Sequence, residues 1–172
     1  VGDVPCASRL LLRALLRNPD GTPASNAAVS ATLVTAVLGT TGLSSLPQAT
    51  TDLAGSFSML LDPGFYRLDF VPADSKVPHG SWFWPNDYSV DAGVGGIDSP
   101  IYTLSQGRTL HGTITQQPDP SSAQRPVAGA AVTFFRVSNV QGLPVSFPVA
   151  QTTANTDGTF SVLLPTAPDA GI

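Results

Sequence analysis

Two stretches of the sequence recur at one fixed offset, and this repeat limits the possible folds more than any other feature. The stretch TPASNAAVSATL, which begins at Thr22, aligns with RPVAGAAVTFFR, which begins at Arg125, and SFSMLL aligns with TFSVLL further along. Both alignments need the same shift of 103 residues, from position 22 to position 125, and no gap. Asn26 aligns with Gly129, and both residue types tolerate positive φ, which indicates a left-handed turn position. The repeat therefore predicts two copies of one structural unit in tandem.

The stretch TDLAGSFSMLLDPGFYRLDF (residues 51–70) alternates apolar and polar residues on both sides of an Asp-Pro-Gly turn. Alternation with a period of two is typical of half-buried strands. We therefore predict a hairpin here, whose apolar face packs against the opposite sheet of its own copy. Phe57 and Phe160 each follow a turn glycine by two residues, and we expect them to hold equivalent core positions.

The other predicted strands are short and are separated by turn signals. In copy one they lie at about 9–17, 27–37 and 47–52, and a loop-rich segment at 72–98 precedes a closing strand, SPIYTL. In copy two they lie at about 108–116, 130–138, 148–155 and 159–164.

The first strand has a helical alternative, because Arg9, Arg13 and Arg17 are spaced as on one face of a helix. The repeat argues against it. This segment aligns with LHGTITQ in copy two, whose Thr-Ile-Thr run is typical of a strand. We therefore predict a strand.

Composition supports an all-β chain and excludes several functions. The 172 residues include twelve Asp and no Glu, one Lys, 16 Gly and 16 Pro, so the usual residues of solvated helices are nearly absent. The net charge is −4 with no basic run, which argues against a nucleic-acid partner. No stretch approaches 18 apolar residues, so no membrane span is predicted, and no signal-peptide pattern is recognised at the N-terminus. The single cysteine, Cys6, is a free thiol or pairs with a segment outside this chain.

The segments LRALLRNPDGTPASNAAV and TTDLAGSFSMLLDPGFYRLDF resemble the bacterial carboxypeptidase regulatory-like domain. That family has the pattern L-x-G-x-V, a D-x-x-G turn, P-V-x-G-A-x-V, and T-D-x-x-G-x-F before a G-x-Y strand. Copy one departs from it at Ala14, where the family has glycine, whereas copy two has Gly112 there. The resemblance implies a prealbumin-like (transthyretin-like) β-sandwich of about seven strands, in a module that is attached to many secreted proteins. It is specific for the fold and weak for function.

The expected fold class is thus all-β, with two tandem Greek-key β-sandwich domains of prealbumin-like type at residues 1–105 and 106–172. The second domain is expected to be incomplete at its C-terminus, because only TAPDAGI stands where copy one continues into FYRLDF. Either the natural chain continues past Ile172, which we favour, or a partner supplies a strand by β-augmentation.

No catalytic, metal or cofactor site is predicted. His79 and His111 stand apart from other potential metal ligands, no nucleophile elbow is present, and most Asp residues stand beside Gly or Pro in turns. Some members of the resembling family form a Lys-Asn isopeptide bond. We expect none here, because Lys76, the only lysine, lies in a polar loop.

The aromatic segment SWFWP is the best candidate for a ligand site. Trp82 and Trp84, with Phe83 between them and Tyr88 nearby, have the residue types of an aromatic platform for sugar rings. The alternative, which we favour, is that Trp82 and Trp84 serve as packing residues that cover one end of copy one.

Together these features predict a non-catalytic extracellular or cell-surface module that acts as a spacer, adhesion or assembly unit. Its expected partners are other protein domains of the same chain or assembly. The alternative is a carbohydrate-binding module that uses the aromatic segment to hold polysaccharide.

Overall fold

The computed structural model describes residues 9–36, 47–61, 64–84, 100–140 and 143–166, and these residues fold into thirteen β-strands. The first strand set, β1 to β7, comprises Leu10–Arg17, Ala28–Ala36, Gln48–Thr50, Ser56–Leu61, Gly64–Val71, Gly80–Trp84 and Ile101–Thr103. The second strand set, β8 to β13, comprises Gly107–Thr113, Thr115–Gln116, Arg125–Pro126, Ala131–Val140, Leu143–Thr153 and Thr159–Pro165. The prediction of an all-β chain is confirmed over these residues.

The first strand set forms two sheets that face each other across one apolar core. One sheet has the strand order β4-β1-β7, with β7 parallel to β1, and the other has the order β3-β2-β5-β6 with antiparallel neighbours. Buried side chains from both sheets fill the space between them because each strand has one apolar face. The largest fully buried ones in this core are Phe70, Leu12, Leu16, Leu61, Leu68, Leu104 and Val29.

The predicted hairpin at residues 51–70 is wrong, because β4 and β5 belong to opposite sheets. β4 pairs with β1, whereas β5 pairs with β2 and β6. The apolar faces of the two strands meet across the core, where the rings of Phe57 and Phe70 make an edge contact with 5.8 Å between centroids. Alternation fixes which face of a strand is buried and does not fix which strand lies beside it, so the sequence pattern fits both arrangements.

Two further predictions need correction. Residues 72–98 were expected to be loop-rich, but Gly80–Trp84 forms strand β6, which pairs with β5. The strand expected at 148–155 is longer and begins at Leu143, because it pairs with β11 along most of its length.

The first strand is a strand and not a helix, as expected from the repeat. Leu12, Ala14 and Leu16 are buried on β1, while Arg13 between them is exposed, which is the burial pattern of a strand on a sheet surface. Register places Ala14 opposite Phe57. In the second strand set the corresponding pair is Gly112 and Phe160.

The turns of the two strand sets are held by corresponding backbone hydrogen bonds. Asn26 donates to the carbonyl of Thr51, and Gly129 donates to that of Ala154. Asn26 and Gly129 both have positive φ, 56° and 70°, as their alignment predicted. The described residues of the second set form only the pairs β8-β13, β11-β12 and β9-β10.

Thr51 satisfies two backbone groups in the core of the first strand set. Its hydroxyl accepts a hydrogen bond from the N–H of Ala27 at 2.8 Å and donates to the carbonyl of Ala24 at 2.6 Å. Both bonds are buried, so their loss leaves a donor and an acceptor without partners. Ala154 occupies the corresponding position in the second set.

Replacing Thr51 by valine, which keeps the side-chain shape, is expected to lower the free energy of unfolding by about 1–3 kcal/mol, because two buried backbone groups lose their partner. Thr50→Val at the exposed neighbour is the matched control and should change it by less than about 0.5 kcal/mol. Denaturant unfolding measures both. Equal effects of the two variants would contradict the role assigned to the hydroxyl.

Candidate functional site

Residues 81–84 of the aromatic segment lie on β6, the edge strand of the four-stranded sheet among the described residues. The backbone of Trp82 pairs with that of Leu68, and the backbone of Trp84 pairs with that of Tyr66. Tyr88 lies outside the described residues, as do the side chains of both tryptophans. The choice between a packing role and a sugar platform for these residues therefore stays a prediction.

No site was predicted at His79, His111 or Lys76, and the structure places these residues at separate positions in the described part of the chain. His79 and His111 are exposed, on the loop before β6 and on β8 respectively. Among the described residues, no three His, Cys, Asp or Glu side chains are grouped so that they could hold a metal ion. Lys76 is exposed in the loop between β5 and β6, where its backbone N–H donates to Asp74. Cys6 lies outside the described residues.

Most hydrogen-bonded carboxylates in the described residues stabilise turns. Asp20 accepts from the N–H and hydroxyl of Thr22, and Asp157 accepts in the same way from Thr159. Asp119 accepts from Ser121 and Ser122. In each case the hydroxyl bond is the main cause that lowers the pKa of the carboxyl below its usual value, and the backbone bonds assist.

These turns predict an acid-sensitive contribution to stability. Because the folded pKa lies below the unfolded value of 3.8, the contribution is present above pH 4 and is lost as pH falls through the folded pKa. The triple variant Asp20→Asn, Asp119→Asn and Asp157→Asn should therefore lose less stability than the parent chain between pH 5 and pH 2. Urea unfolding across that range measures the difference, and an unchanged acid dependence would contradict the prediction.

Two open grooves lie at the sides of the strand sets. The larger, of about 610 Å³, lies beside β1, β3 and β4 and is bordered by polar residues such as Arg13, Gln48 and Asp52. The smaller, of about 380 Å³, lies in the second strand set between β11, β12 and the end of β13. Its lining is mainly apolar and includes Phe134, Val149 and Leu164.

The connection between the strand sets is short and is tied into the first core. Only three residues separate β7 from β8. The first of them, Leu104, is 2% exposed, and its N–H donates to the carbonyl of Arg17 at 2.8 Å. The chain therefore enters β8 only two residues after a buried anchor.

A second contact joins the two strand sets away from this connection. Phe147 on β12 is 1% exposed, and the guanidinium carbon of Arg67 on β5 lies 5.2 Å from its ring centroid. Asp69 holds Arg67 in place by an ion pair of 2.8 Å, and it accepts a hydrogen bond from Ser81. The sequence pattern gave no signal for this contact, because Arg67 and Phe147 lie 80 positions apart in different copies.

No protein-family model matches the chain, and no curated protein sequence matches it. Among solved structures, the chain is similar to the TIE protein of Bacillus anthracis, at 14% identity and a TM-score of 0.37, over 92% of this chain and 26% of that one. It is also similar to the major pilin SpaD of Corynebacterium diphtheriae, at 14% identity and a TM-score of 0.44, over 92% and 51%. A streptococcal ancillary pilin is similar at 12% identity and a TM-score of 0.33, over 95% and 55%. The chain spans between about a quarter and just over half of the length of these proteins. Within its described residues, no helix is long and apolar enough to cross a membrane.

Proposed function

We propose that this chain is a non-catalytic structural module of a secreted or cell-surface protein, in which it acts as a spacer or assembly unit. In this proposal, residues 1–105 and 106–172 are tandem Greek-key β-sandwich domains of prealbumin-like type. The resemblance to carboxypeptidase regulatory-like domains supports the domain type and the extracellular location. The corresponding turn hydrogen bonds of the two strand sets support the tandem arrangement.

The observation that carries the proposal is the double connection between the strand sets. A spacer needs a fixed end-to-end geometry, and two attachments at separate points restrict bending more than one linker does. Leu104 anchors the chain at one point, and the stacking of Arg67 on Phe147 restrains it at another. A cation–π contact of this kind contributes about 0.5–2 kcal/mol, and burial of the Phe147 ring adds to it.

The experiment measures the rigidity of the whole chain by small-angle scattering. The parent chain is expected to give a single, narrow distribution of interatomic distances. Phe147→Ala removes the ring on which Arg67 rests, so the distribution should broaden and the maximum dimension should grow. Phe135→Ala is the matched control, because that ring is already 62% exposed, and it should leave the scattering unchanged.

Two outcomes would contradict the proposal. Scattering of the parent chain that fits only a wide set of orientations would exclude a stiff spacer. Binding of a polysaccharide that is lost in the double variant Trp82→Ala and Trp84→Ala, with unchanged stability, would favour the carbohydrate-binding alternative.

A further inference from the structure

The outward side chains of β1, and of the residue before it, alternate between arginine and leucine. β1 is the middle strand of the sheet β4-β1-β7. Because its even-numbered residues from Leu12 to Leu16 are buried, the odd-numbered ones lie on the other face of this sheet. These outward residues are Arg9, Leu11, Arg13, Leu15 and Arg17. At a rise of about 3.3 Å per residue, successive arginines of the row stand about 13 Å apart.

Apolar side chains of both neighbouring strands widen this row into a surface. Leu60 on β4 is opposite Leu11 and is 53% exposed. Ile101 on β7 is opposite Leu15 and is 56% exposed. We call the five outward residues of the row, together with Leu60 and Ile101, the arginine face. It combines arginine with exposed aliphatic side chains and contains no lysine, which is a composition typical of protein–protein interfaces.

Carboxylates of the described residues leave the positive charge of the arginine face available. Arg13 is exposed, and its guanidinium has no ion pair or hydrogen bond within the described part of the chain. Asp52 borders the same groove as Arg13, but its Oδ1 accepts from two backbone N–H groups of its own turn. Arg17 donates to the carbonyl of Gly21 at 2.8 Å. That oxygen has no net charge, so the bond orients the guanidinium without neutralising it.

The second strand set indicates that the fold itself does not require such a face. β8 corresponds to β1, because Gly112 is opposite Phe160 as Ala14 is opposite Phe57. The residues of β8 at the positions of Arg9, Leu11, Arg13 and Leu15 are Gly107, Thr109, His111 and Thr113, and all four are exposed. The same strand is thus built without arginine or leucine on its outward face. Formation of the strand therefore does not explain the arginine–leucine row of β1.

We propose that the arginine face is a docking surface for an extended acidic segment of another protein. The partner places carboxylates about 13 Å apart against the arginines and aliphatic side chains against the leucines between them. A guanidinium matches a carboxylate with two parallel hydrogen bonds, and Leu60 and Ile101 gain from burial only against a partner that has apolar groups. The proposal concerns β1, β4 and β7, whereas the contact that joins the strand sets uses β5 and β12, so either proposal can fail without the other.

The probe is the synthetic peptide DTVTDTVTD, titrated into the whole isotope-labelled chain at low salt and followed by amide chemical shifts. When extended, this peptide presents aspartates at every fourth position with valines between them on the same side. Saturable shifts confined to β1, β4 and β7 are expected. The neutral peptide NTVTNTVTN should bind about fivefold more weakly or less. The peptide TVTTVTDDD has the same composition with adjacent aspartates, and it should bind about threefold more weakly because its charges cannot reach all the arginines at once.

Two double variants with the same change in net charge test the surface itself. Arg13→Gln with Arg17→Gln removes two charges of the arginine face and should weaken binding of DTVTDTVTD by about fivefold. Arg108→Gln with Arg125→Gln removes two exposed charges of the second strand set and should leave binding as in the parent chain. The amide spectrum of each variant reports whether its fold is retained.

Four results would overturn the proposal. Binding of TVTTVTDDD as strong as that of DTVTDTVTD would mean that charge alone attracts the peptide. Inorganic polyphosphate that causes equal shifts at the same strands would assign the surface to polyanions in general. Equal binding by the two double variants would place the peptide elsewhere on the chain. No shifts at millimolar peptide would show that the arginine face does not accept an acidic segment.

Discussion

Phe57→Ala is expected to lower the free energy of unfolding of the first strand set by about 3–5 kcal/mol, because the ring is buried and the cavity cannot collapse between two sheets. The ring contacts Phe70 from the opposite sheet and Tyr102 from β7. Tyr102 is itself enclosed there, and burial raises its pKa to about 12. Loss of Phe57 therefore disturbs an aromatic cluster that joins both sheets.

The matched variant is Phe160→Ala, which removes the corresponding ring of the second strand set. Phe160 is only half-buried, and its ring centroid lies 6.0 Å from that of Phe134. Removal of the Phe160 ring should lower the free energy of unfolding by less, about 1–3 kcal/mol, because less buried apolar area is lost. Hydrogen exchange of β4 and β13 amides distinguishes the two strand sets even if they unfold separately. An equal decrease in the free energy of unfolding for Phe160→Ala and Phe57→Ala would contradict the prediction that the difference in burial determines the effect.

Gly158→Ala is expected to destabilise the second strand set by about 2–5 kcal/mol, for two reasons that add. Gly158 has a φ of +78°, where an L-residue is strained, and an added Cβ would lie 2.6 Å from the carbonyl oxygen of Ile114. That oxygen belongs to the backbone and cannot rotate away. Gly55 has the same arrangement against the carbonyl oxygen of Leu16, so Gly55→Ala should have a similar effect on the first set.

Gly129→Asn is the control that separates strain from crowding. Gly129 also has a positive φ, but an added Cβ would meet nothing within 4 Å. Asparagine already occupies the corresponding position of the first set at Asn26. The variant should therefore change stability by less than about 1 kcal/mol, as measured by thermal or denaturant unfolding. A loss of stability as large as that caused by Gly158→Ala would mean that backbone strain alone explains the effects of both variants.

Local signals allowed the sequence to predict most of the strands and the corresponding register of Phe57 and Phe160. Each of these depends on residues within one strand or turn, and the repeat provided a second copy against which to check it. The expectation that both rings lie in a core is wrong for Phe160, which is only half-buried. The placement of β4 and β5 in opposite sheets could not be predicted, because two alternating segments separated by turn residues look alike in sequence whether they share a sheet or face each other. The preference for a hairpin came from the turn residues alone.

The candidate sites were harder to predict for a different reason. The aromatic segment was noticed because tryptophan is conspicuous, yet the contact that joins the strand sets uses Arg67 and Phe147, which no local pattern singles out.

The parallel pairing of β1 with β7 determines how the first strand set bears tension. β1 begins near the N-terminal end of the set, and β7 ends it, with Leu15, Leu16 and Arg17 opposite Ile101, Tyr102 and Thr103. A pull on the start of β1 and the end of β7 acts along both strands in opposite directions, because the strands are parallel. The hydrogen bonds between them are then loaded together in shear and cannot be opened one after another as in a zipper.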